Sequence, residues 1–578
     1  MPLLLLLALL AGCGEPELTI TPFSEPPAPV AAAAGRPNIL LILVDDLGFT
    51  DLGVTGSEIS TPHLDALARE GALLTGLHAM PTCSPSRAAL MSGVDPHRAG
   101  LGTMAHGVQP GQRGQPGYEG YLNDRVVSIP TLLRDAGYRT YMVGKWDLGM
   151  APGQTPAARG FEHSWALLTG GASHFADSRG LTVFERTVDY LDDNRVVQPP
   201  RDFFSTTFYT DQLIRYLEAG AAEAAPFFAY AAYTAPHWPL QAPADYIDRY
   251  RGRYDVGYEQ LRRQRVERSR ELGLFPAAAA AAALPAFVPA WDSLDPLQRQ
   301  RSARSMEIYA AMVEHLDHEI GRLLDYLRAS GQYHNTLIVF ASDNGPEGND
   351  VGQLPLSRFW LPLEFDNDLE NMGRENSYVW YGAGWASVSA GPFDLYKAFT
   401  SEGGIRVPLL VKLPGEQPRP VAADDALTLM DLAATVLAAA GVEHPGAADV
   451  TTPPPGGRYR GKPVLPLDGH SRYAAWRGEA AAPPQSPLVM ELFGRRMVTI
   501  GSYKGRYFPP PFGSGKWQLF DLATDPGETR DLAADQPPVL AQVVALWELY
   551  ARRNGVVLPE GDGSYAIPPG PPRDRQTR

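Results

Sequence analysis

The sequence predicts an α/β fold: a large, doubly wound, mainly parallel sheet flanked by helices, followed by a smaller C-terminal α+β domain with an antiparallel sheet and one helix. Three observations carry this. Four continuous apolar runs, each ending in polar residues, have the pattern of strands buried on both faces. Helical patterns separate those runs, as βα alternation requires. Beyond residue 457 the runs shorten and alternate, and one amphipathic helix closes them.

The first run, Asn38 to Val44 (NILLILV), leads into Asp45-Asp46-Leu47-Gly48. The second, Tyr138 to Val143, leads into Gly144-Lys145-Trp146-Asp147. Phe227 to Tyr233 precedes Ala235-Pro236-His237-Trp238, and Asn335 to Phe340 precedes Ser342-Asp343-Asn344-Gly345. Helices are predicted over Pro62 to Gly71, Ile129 to Ala136, Asp211 to Ala219, Arg301 to Ser330 and Leu427 to Ala440. A Pro/Gly-rich break, Thr452 to Gly457, precedes Leu488 to Leu492, Met497 to Ile500 and Gln518 to Leu522, and then a helix from Pro538 to Asn554. The low-complexity tract Ala277 to Ala283 reads as a surface helical turn. In doubly wound sheets ligands bind beyond the carboxyl ends of the strands. Here those ends carry Asp45, Asp46, Lys145, Asp147, His237, Asp343 and Asn344.

At 578 residues the chain has room for one large domain and a smaller one. Its formal net charge of −15 argues against non-specific binding of nucleic acid or of an anionic membrane. Any anionic ligand must therefore meet locally concentrated positive charge. Residues 1–13 form a short apolar leader, too short to span a bilayer, that ends in Leu10-Ala11-Gly12-Cys13. This resembles a bacterial lipoprotein cleavage box, although no Lys or Arg precedes the apolar stretch. The resemblance implies export, with Cys13 lipidated and the chain anchored to a bacterial membrane by that lipid alone, facing the periplasm or the cell exterior. Residues 14–36, rich in Pro and Ala, read as a flexible tether. The divisions that follow are 37–452 for the main domain, 458–566 for the α+β domain and 567–578 for a disordered tail.

Cys83 is the other of only two cysteines, in the run Pro81-Thr82-Cys83-Ser84-Pro85-Ser86-Arg87. With Cys13 committed to the leader, Cys83 has no disulfide partner. It reads either as a small buried hydrophobe or as a reactive position at the start of a helix. Ser84 suits the N-cap of that helix and Pro85 its first turn, where backbone N–H groups favour an anion.

The strand ends bring three carboxylates and an amide: Asp45, Asp46, Asp343 and Asn344. Without a second cysteine or a His-rich spacing, zinc in a thiolate or imidazole site does not fit. Oxygen ligands suit Ca²⁺ or Mg²⁺. Arg87, Lys145, His237 and Lys397 supply positive charge around them. Together with a divalent cation they form a pocket able to polarise an S–O or P–O bond.

Cys83-Ser84-Pro85-Ser86-Arg87 matches the Cys-x-Pro-x-Arg signature of sulfatases, and Gly144-Lys145-Trp146-Asp147-Leu148-Gly149 resembles their second signature. Ala235 to Leu240, Ser342 to Gly345, Leu395 to Gly404 and Leu519 to Glu528 extend the likeness, in order, over residues 36 to 560. The chain resembles bacterial arylsulfatases of the alkaline phosphatase superfamily. The resemblance implies a sulfuric ester hydrolase in which Cys83 is oxidised to formylglycine by a formylglycine-generating enzyme. The aldehyde hydrate is then the nucleophile, and the sulfated hydrate expels sulfate by collapsing to the aldehyde. The resemblance also implies Ca²⁺ held by Asp45, Asp46, Asp343, Asn344 and an oxygen of the modified Cys83. It gives Arg87 the hydrate, Lys145 and Lys397 the sulfate oxygens, and His237 the leaving-group side.

One position departs from the family. Asp147 stands where most members have His, which implies retained but altered activity. The alternatives are a phosphonate monoester or phosphodiester hydrolase on the same scaffold, and a weakened, sulfatase-like binding protein. The substrate is a small sulfate ester or a sulfated carbohydrate, chosen by loops such as 170–177 and 348–384.

Overall fold

In the computed structural model, residues 35–563 are described, apart from 222, 355, 416–425, 449–456 and 482–485. Cys13, most of the tether and the 567–578 tail lie outside the described residues. No helix among the described residues is long and apolar enough to cross a membrane.

Nine strands form the main sheet: β1 (Asn38–Val44), β2 (Ala72–Leu74), β3 (Arg139–Lys145), β4 (His163–Leu167), β5 (Tyr190–Asp192), β6 (Arg195–Val197), β7 (Phe227–Ala232), β8 (Thr336–Ser342) and β9 (Leu409–Lys412). Their order is β2-β9-β8-β1-β7-β3-β4-β5-β6. The pairings from β8 through β4 are parallel, and antiparallel pairs close both edges. Only β9 and β5 run against the other strands. The four predicted runs are the four central strands, and the edges went unpredicted.

The continuous apolar run of β1 has a direct physical reason. Leu40, Ile42 and Val44 point into one core, and Ile39, Leu41 and Leu43 into another on the opposite face. Strand β8 divides in the same way, Ile338 and Phe340 against Leu337, Val339 and Ala341. On the first face lies helix α2 (Pro296–Ala329), which starts five residues before its predicted position. Pro296 at its first position and the Asp295–Gln298 capping box fix that start. On the second face lie α1 (Cys83–Ser92) and α3 (Leu429–Ala439).

A four-stranded antiparallel sheet follows, β10 (Val489–Leu492), β11 (Arg495–Ile500), β12 (Tyr503–Tyr507) and β13 (Trp517–Asp521), in sequential order. Helix α4 (Pro537–Asn554) covers it, with Val543 and Trp547 packed on Val498 and Leu519. Met490 and Met497 join the second core of the main sheet.

One local expectation is refined and another corrected. The Ala277–Ala283 tract, mostly at the surface as expected, forms a single turn closed by the Ala279 N–H on the Pro276 carbonyl at 3.1 Å and is irregular after it, with Ala279 and Ala282 buried. The Ala282 N–H donates to the Pro392 carbonyl at 3.0 Å. The helix after Cys83 is capped at Thr82, not Ser84, so Cys83 is its first residue.

His97 joins the two sheets. Its Nε2 lies 2.9 Å from Glu491 Oε2 and its Nδ1 3.2 Å from Asp95 Oδ1, while Tyr550 of α4 donates to Asp95 at 2.7 Å. Burial alone would lower the imidazole pKa, but hydrogen bonds and charges from Asp95 and Glu491 outweigh it and raise it to about 9. A raised histidine pKa contributes stability fully below the unfolded value near 6.5 and loses it as pH climbs to 9. At about 1.4 kcal/mol per pH unit this is on the order of 3 kcal/mol. The unfolding free-energy difference between the native chain and His97→Gln is therefore expected to shrink by that order between pH 6.5 and 9. Denaturant titrations across that range would refute the assignment if the difference stayed constant.

Candidate active site

The parallel register aligns the chemistry. Val44 pairs with Ser342, so Asp45 and Asp343 leave the sheet side by side. Leu43 pairs with Ala232 and Ala232 with Gly144, which brings the His237 segment and Lys145 to the same edge. Gly144 has φ +96°, and a Cβ there would lie 1.9 Å from the Ala232 carbonyl oxygen. Only glycine lets β3 pass so close to β7 just before Lys145. Gly345 plays a similar part, since a Cβ there would sit 2.1 Å from the Gly403 carbonyl oxygen. That close approach seats the Lys397 segment against Asp343 and Asn344. Asp46 and Asp147 adopt left-handed backbone, φ +66° and +56°, which Asp tolerates better than most residues.

All ten site residues predicted within the main domain meet here, and nearly all are buried. The Cys83 thiol donates to Asp45 Oδ1 at 3.3 Å, and Lys145 Nζ lies 2.7 Å from Asp45 Oδ2. Arg87 donates to Asp343 Oδ2 through Nη2 at 2.7 Å and Nε at 3.0 Å, with Asp45 Oδ2 3.4 Å away. Lys397 Nζ is 2.7 Å from Asp46 Oδ1, and Asn344 Nδ2 donates to that same oxygen at 2.6 Å. His237 Nδ1 contacts the Trp238 carbonyl, and its Nε2 stands 3.7 Å from Asp46 Oδ2. Because a carbonyl only accepts, Nδ1 carries the proton and Nε2 is the position that exchanges one. Asp147 accepts from Ser84 Oγ at 2.8 Å and lies 3.9 Å from Lys145 Nζ. Its side chain keeps 19% of its exposure, so it borders the mouth of the site.

The electrostatics are steep. Burial pushes the Asp45 carboxyl up, but Lys145, His237, Arg87 and Lys397 outweigh it and hold it well below the usual range. Burial, then the Asp45 charge, raises Asp343 to about 7 against Arg87 and Lys145. Burial, then Asp343 and Asp45, pushes the Cys83 thiol well above its ordinary value. A protonated thiol is a poor nucleophile. Burial likewise drives the His237 imidazole well down, so the ring is neutral at pH 7.

The donor set fits a hard cation. Oxygens of Asp45, Asp46 and Asp343 and the Cys83 sulfur all lie within 4.8 Å of one another. Asp46 Oδ2 and Asn344 Oδ1 are buried with no hydrogen-bond partner. Buried acceptors without donors are costly, and oxygen-rich sets of this kind suit Ca²⁺ or Mg²⁺. The thiol is the misfit in the set, because sulfur is a soft ligand. An oxygen at that position would complete it.

Sequence reading did not reach the supports behind these residues. Tyr309 donates to the Asp46 carbonyl at 3.3 Å and to Asp51 at 2.7 Å, and Asp51 is paired with Arg265 at 2.5 Å. Glu347 stands 3.7 Å from Lys397 Nζ. Ser84, read as a cap, instead joins Asp147 to the residue beside Cys83. Its hydroxyl next to a signature cysteine was the available signal.

The chain is similar to sulfatases over most of its length. The family model described as Sulfatase matches residues 37–442. An uncharacterised sulfatase of Schizosaccharomyces pombe is 40% identical over 557 residues, 92% of this chain and 96% of that one. An arylsulfatase of Klebsiella aerogenes is 37% identical over 446 residues, covering 76% of this chain and 92% of its own. Among solved structures, Ps i-CgsB in complex with k-i-k-neocarrahexaose aligns with a TM-score of 0.61 at 24% identity, covering 90% of this chain and 93% of that one. The chain belongs to the sulfatase family, whose chemistry is the hydrolysis of sulfate esters.

Proposed function

We propose that the chain is an arylsulfatase-type sulfuric ester hydrolase that acts through formylglycine formed from Cys83, with Ca²⁺ held by Asp45, Asp46, Asp343 and Asn344. One observation carries this reading: a protonated, buried thiol sits at the centre of a hard-oxygen cage with two unpartnered acceptors. Oxidation at Cβ would exchange the soft atom for an oxygen and supply a hydrate nucleophile. When bound, the cation neutralises the clustered carboxylates and polarises S–O bonds.

The chain's own residues do the rest. Lys145, paired with Asp45, and Lys397, paired with Asp46, are each placed to bind a sulfate oxygen. Arg87, whose Nη1 also donates to the Lys145 carbonyl at 3.0 Å, fixes Asp343 and Lys145 relative to α1. His237 passes a proton through Nε2 at the leaving-group side. Asp147 stands at the mouth, one hydroxyl away from position 83, where it serves as the base for sulfate release. The products are the alcohol or phenol and hydrogen sulfate.

Several measurements test the reading. Exhaustive chelation is expected to lower the rate on 4-nitrophenyl sulfate at least about tenfold, restored by Ca²⁺, and to lower thermal stability through the lost binding energy. Full activity in a verified metal-free preparation would remove the cation from the mechanism. Asp147→His is expected to change kcat several-fold and to shift its pH profile, with KM nearly unchanged. Unaltered kcat and pH profile would show that Asp147 takes no part in release. Comparing rates on an aryl sulfate and an aryl phosphodiester separates this reading from phosphodiester hydrolysis on the same scaffold. Binding of sulfated ligands without turnover would instead support a weakened binding protein.

A further inference from the structure

The rim beside His237 has an unusual composition. Helix Ser357–Glu364 buries Trp360 and Leu361, as an amphipathic helix should, yet its outer face also carries Phe359 and Leu363, beside Arg358 and Pro362. Leu356, Phe359 and Leu363 are 52%, 74% and 84% exposed. Phe359 and Leu363, four residues apart on the helix, have the spacing that ordinarily faces a core, and Leu356 precedes them at the N-cap in left-handed backbone. Here it faces solvent.

The helix that carries the stripe connects to the catalytic pocket through two routes. One is a row of rings. His237 stacks on Trp238 at 4.9 Å, Trp238 meets Tyr378 at 5.8 Å, and Tyr378 meets Trp360 of the helix at 5.7 Å. The other is the hairpin Arg179–Thr187. At its near end Leu181 shares the Gly171 turn with His237: a Cβ on Gly171 would lie 2.9 Å from Leu181 Cδ1 and 3.2 Å from the His237 ring. From the open end and the returning strand, Arg179 and Arg186 both pair with Glu364 of the helix. Phe184, 80% exposed, stands at the hairpin tip beside Glu185.

The charge at this rim points the same way. The hairpin's two arginines are committed to Glu364. Asp147 faces the mouth, its Oδ1 3.9 Å from a Cβ placed on Gly170, and Glu185 of the hairpin lies within reach of its charge. Burial, then the Asp147 charge, pushes the Glu185 carboxyl up to about 7. An acidic, apolar rim opposes a ligand carrying several sulfates and accepts one whose body is hydrocarbon. Exposed apolar stripes of this kind mark ligand or partner contacts more often than bare surface.

Resting on the sulfate-ester reading above, we propose that Phe184, Phe359 and Leu363 form a ledge that holds the hydrocarbon body of a singly sulfated amphiphile, its sulfate at position 83 and its tail along the helix. This selects long alkyl or fused-ring sulfates over polysulfated carbohydrates.

The full, modified protein is used for the test. Turnover of 4-nitrophenyl sulfate, which is too short to reach the ledge, reports on the sulfatase reading by itself. The ledge is read separately, from calorimetric binding of hexyl- and dodecylsulfonate below their micelle concentrations. These sulfonates cannot be hydrolysed, so the readout stands whether or not turnover is seen. Dodecylsulfonate is expected to bind at least tenfold more tightly than hexylsulfonate. The triple variant Phe184→Ser, Phe359→Ser, Leu363→Ser should lose most of that ratio while turning over 4-nitrophenyl sulfate as before. Single Ser variants, each at an exposed position, should give graded losses if the triple variant folds poorly. Equal affinity for the two sulfonates would overturn the proposal, as would a ratio that survives in every variant. A flat ratio together with loss of phosphatidylcholine-vesicle binding in the variants would assign the stripe to a lipid surface and overturn it equally. So would tighter binding of a disulfated disaccharide than of dodecylsulfonate.

Discussion

Replacing Cys83 by alanine is expected to lower kcat/KM on 4-nitrophenyl sulfate by on the order of 10⁴-fold or more. The fold should tolerate the change. Cys83 is buried at the first position of α1, and its sulfur donates a hydrogen bond to Asp45 Oδ1. A single sulfur removed from such a place costs on the order of 1 kcal/mol. The serine variant separates formylglycine from a plain hydroxyl nucleophile. Serine keeps an oxygen for the cage, so metal binding should survive. Its sulfate ester, however, has no geminal hydroxyl with which to expel sulfate. Cys83→Ser is therefore expected to release a single burst of phenol, one equivalent per site, and then stop. Steady turnover by the serine variant would dispose of the hydrate mechanism. Mass analysis of the native Cys83 peptide gives the independent check, since oxidation to the aldehyde lowers its mass by a fixed amount.

How much of this site was legible in the sequence depended on where each residue's environment comes from. Asp45 and Asp343 could be placed together because two runs buried on both faces must lie inside a parallel sheet, and the strand ends of such a sheet share an edge. Their side-by-side register, Val44 against Ser342, is what that argument requires. Strands β2, β5 and β6 escaped notice because three residues carry no period. They are strands by virtue of their neighbours. The cap of α1 was misplaced because Thr82 and Ser84 are equally good capping types, and only the backbone decides between them. The alanine tract keeps only one turn for a related reason. High helix propensity yields when a segment's carbonyls and methyl groups have tertiary partners, as Ala279 and Ala282 do. The 348–384 region was recognisable as a candidate for leaving-group recognition. Its outward apolar stripe was not, because a sequence pattern gives the spacing of a face but not its direction.

Lys504→Met is expected to be the most destabilising single change, by about 3–5 kcal/mol. Lys504 Nζ lies 2.7 Å from Glu402 Oε1 and 3.3 Å from Glu528 Oε1, and all three side chains are fully buried. His78 Nε2 holds the other Glu402 oxygen at 3.1 Å, and Glu528 accepts from the Glu402 N–H at 2.7 Å. Burial alone would raise the Glu402 carboxyl, but Lys504 first and His78 next hold it well below its usual value. Methionine fills similar volume and removes the cation between two buried acids, so the cost is that of uncompensated charge rather than of a cavity. Adding Glu402→Gln should recover part of the loss, because partners in one network are not additive. The effect should also reach the active site. Glu402 opens the turn that follows Lys397, and Arg495 of β11 donates to the Ala398 carbonyl at 2.6 Å. The C-terminal sheet thus holds the segment that carries Lys397 against the cage. Under conditions where Lys504→Met remains folded, KM for 4-nitrophenyl sulfate is expected to rise several-fold. Urea midpoints and initial rates on the two variants decide it. A midpoint unchanged in Lys504→Met would mean that the acids are neutral without it, and that the C-terminal sheet holds Lys397 by packing alone.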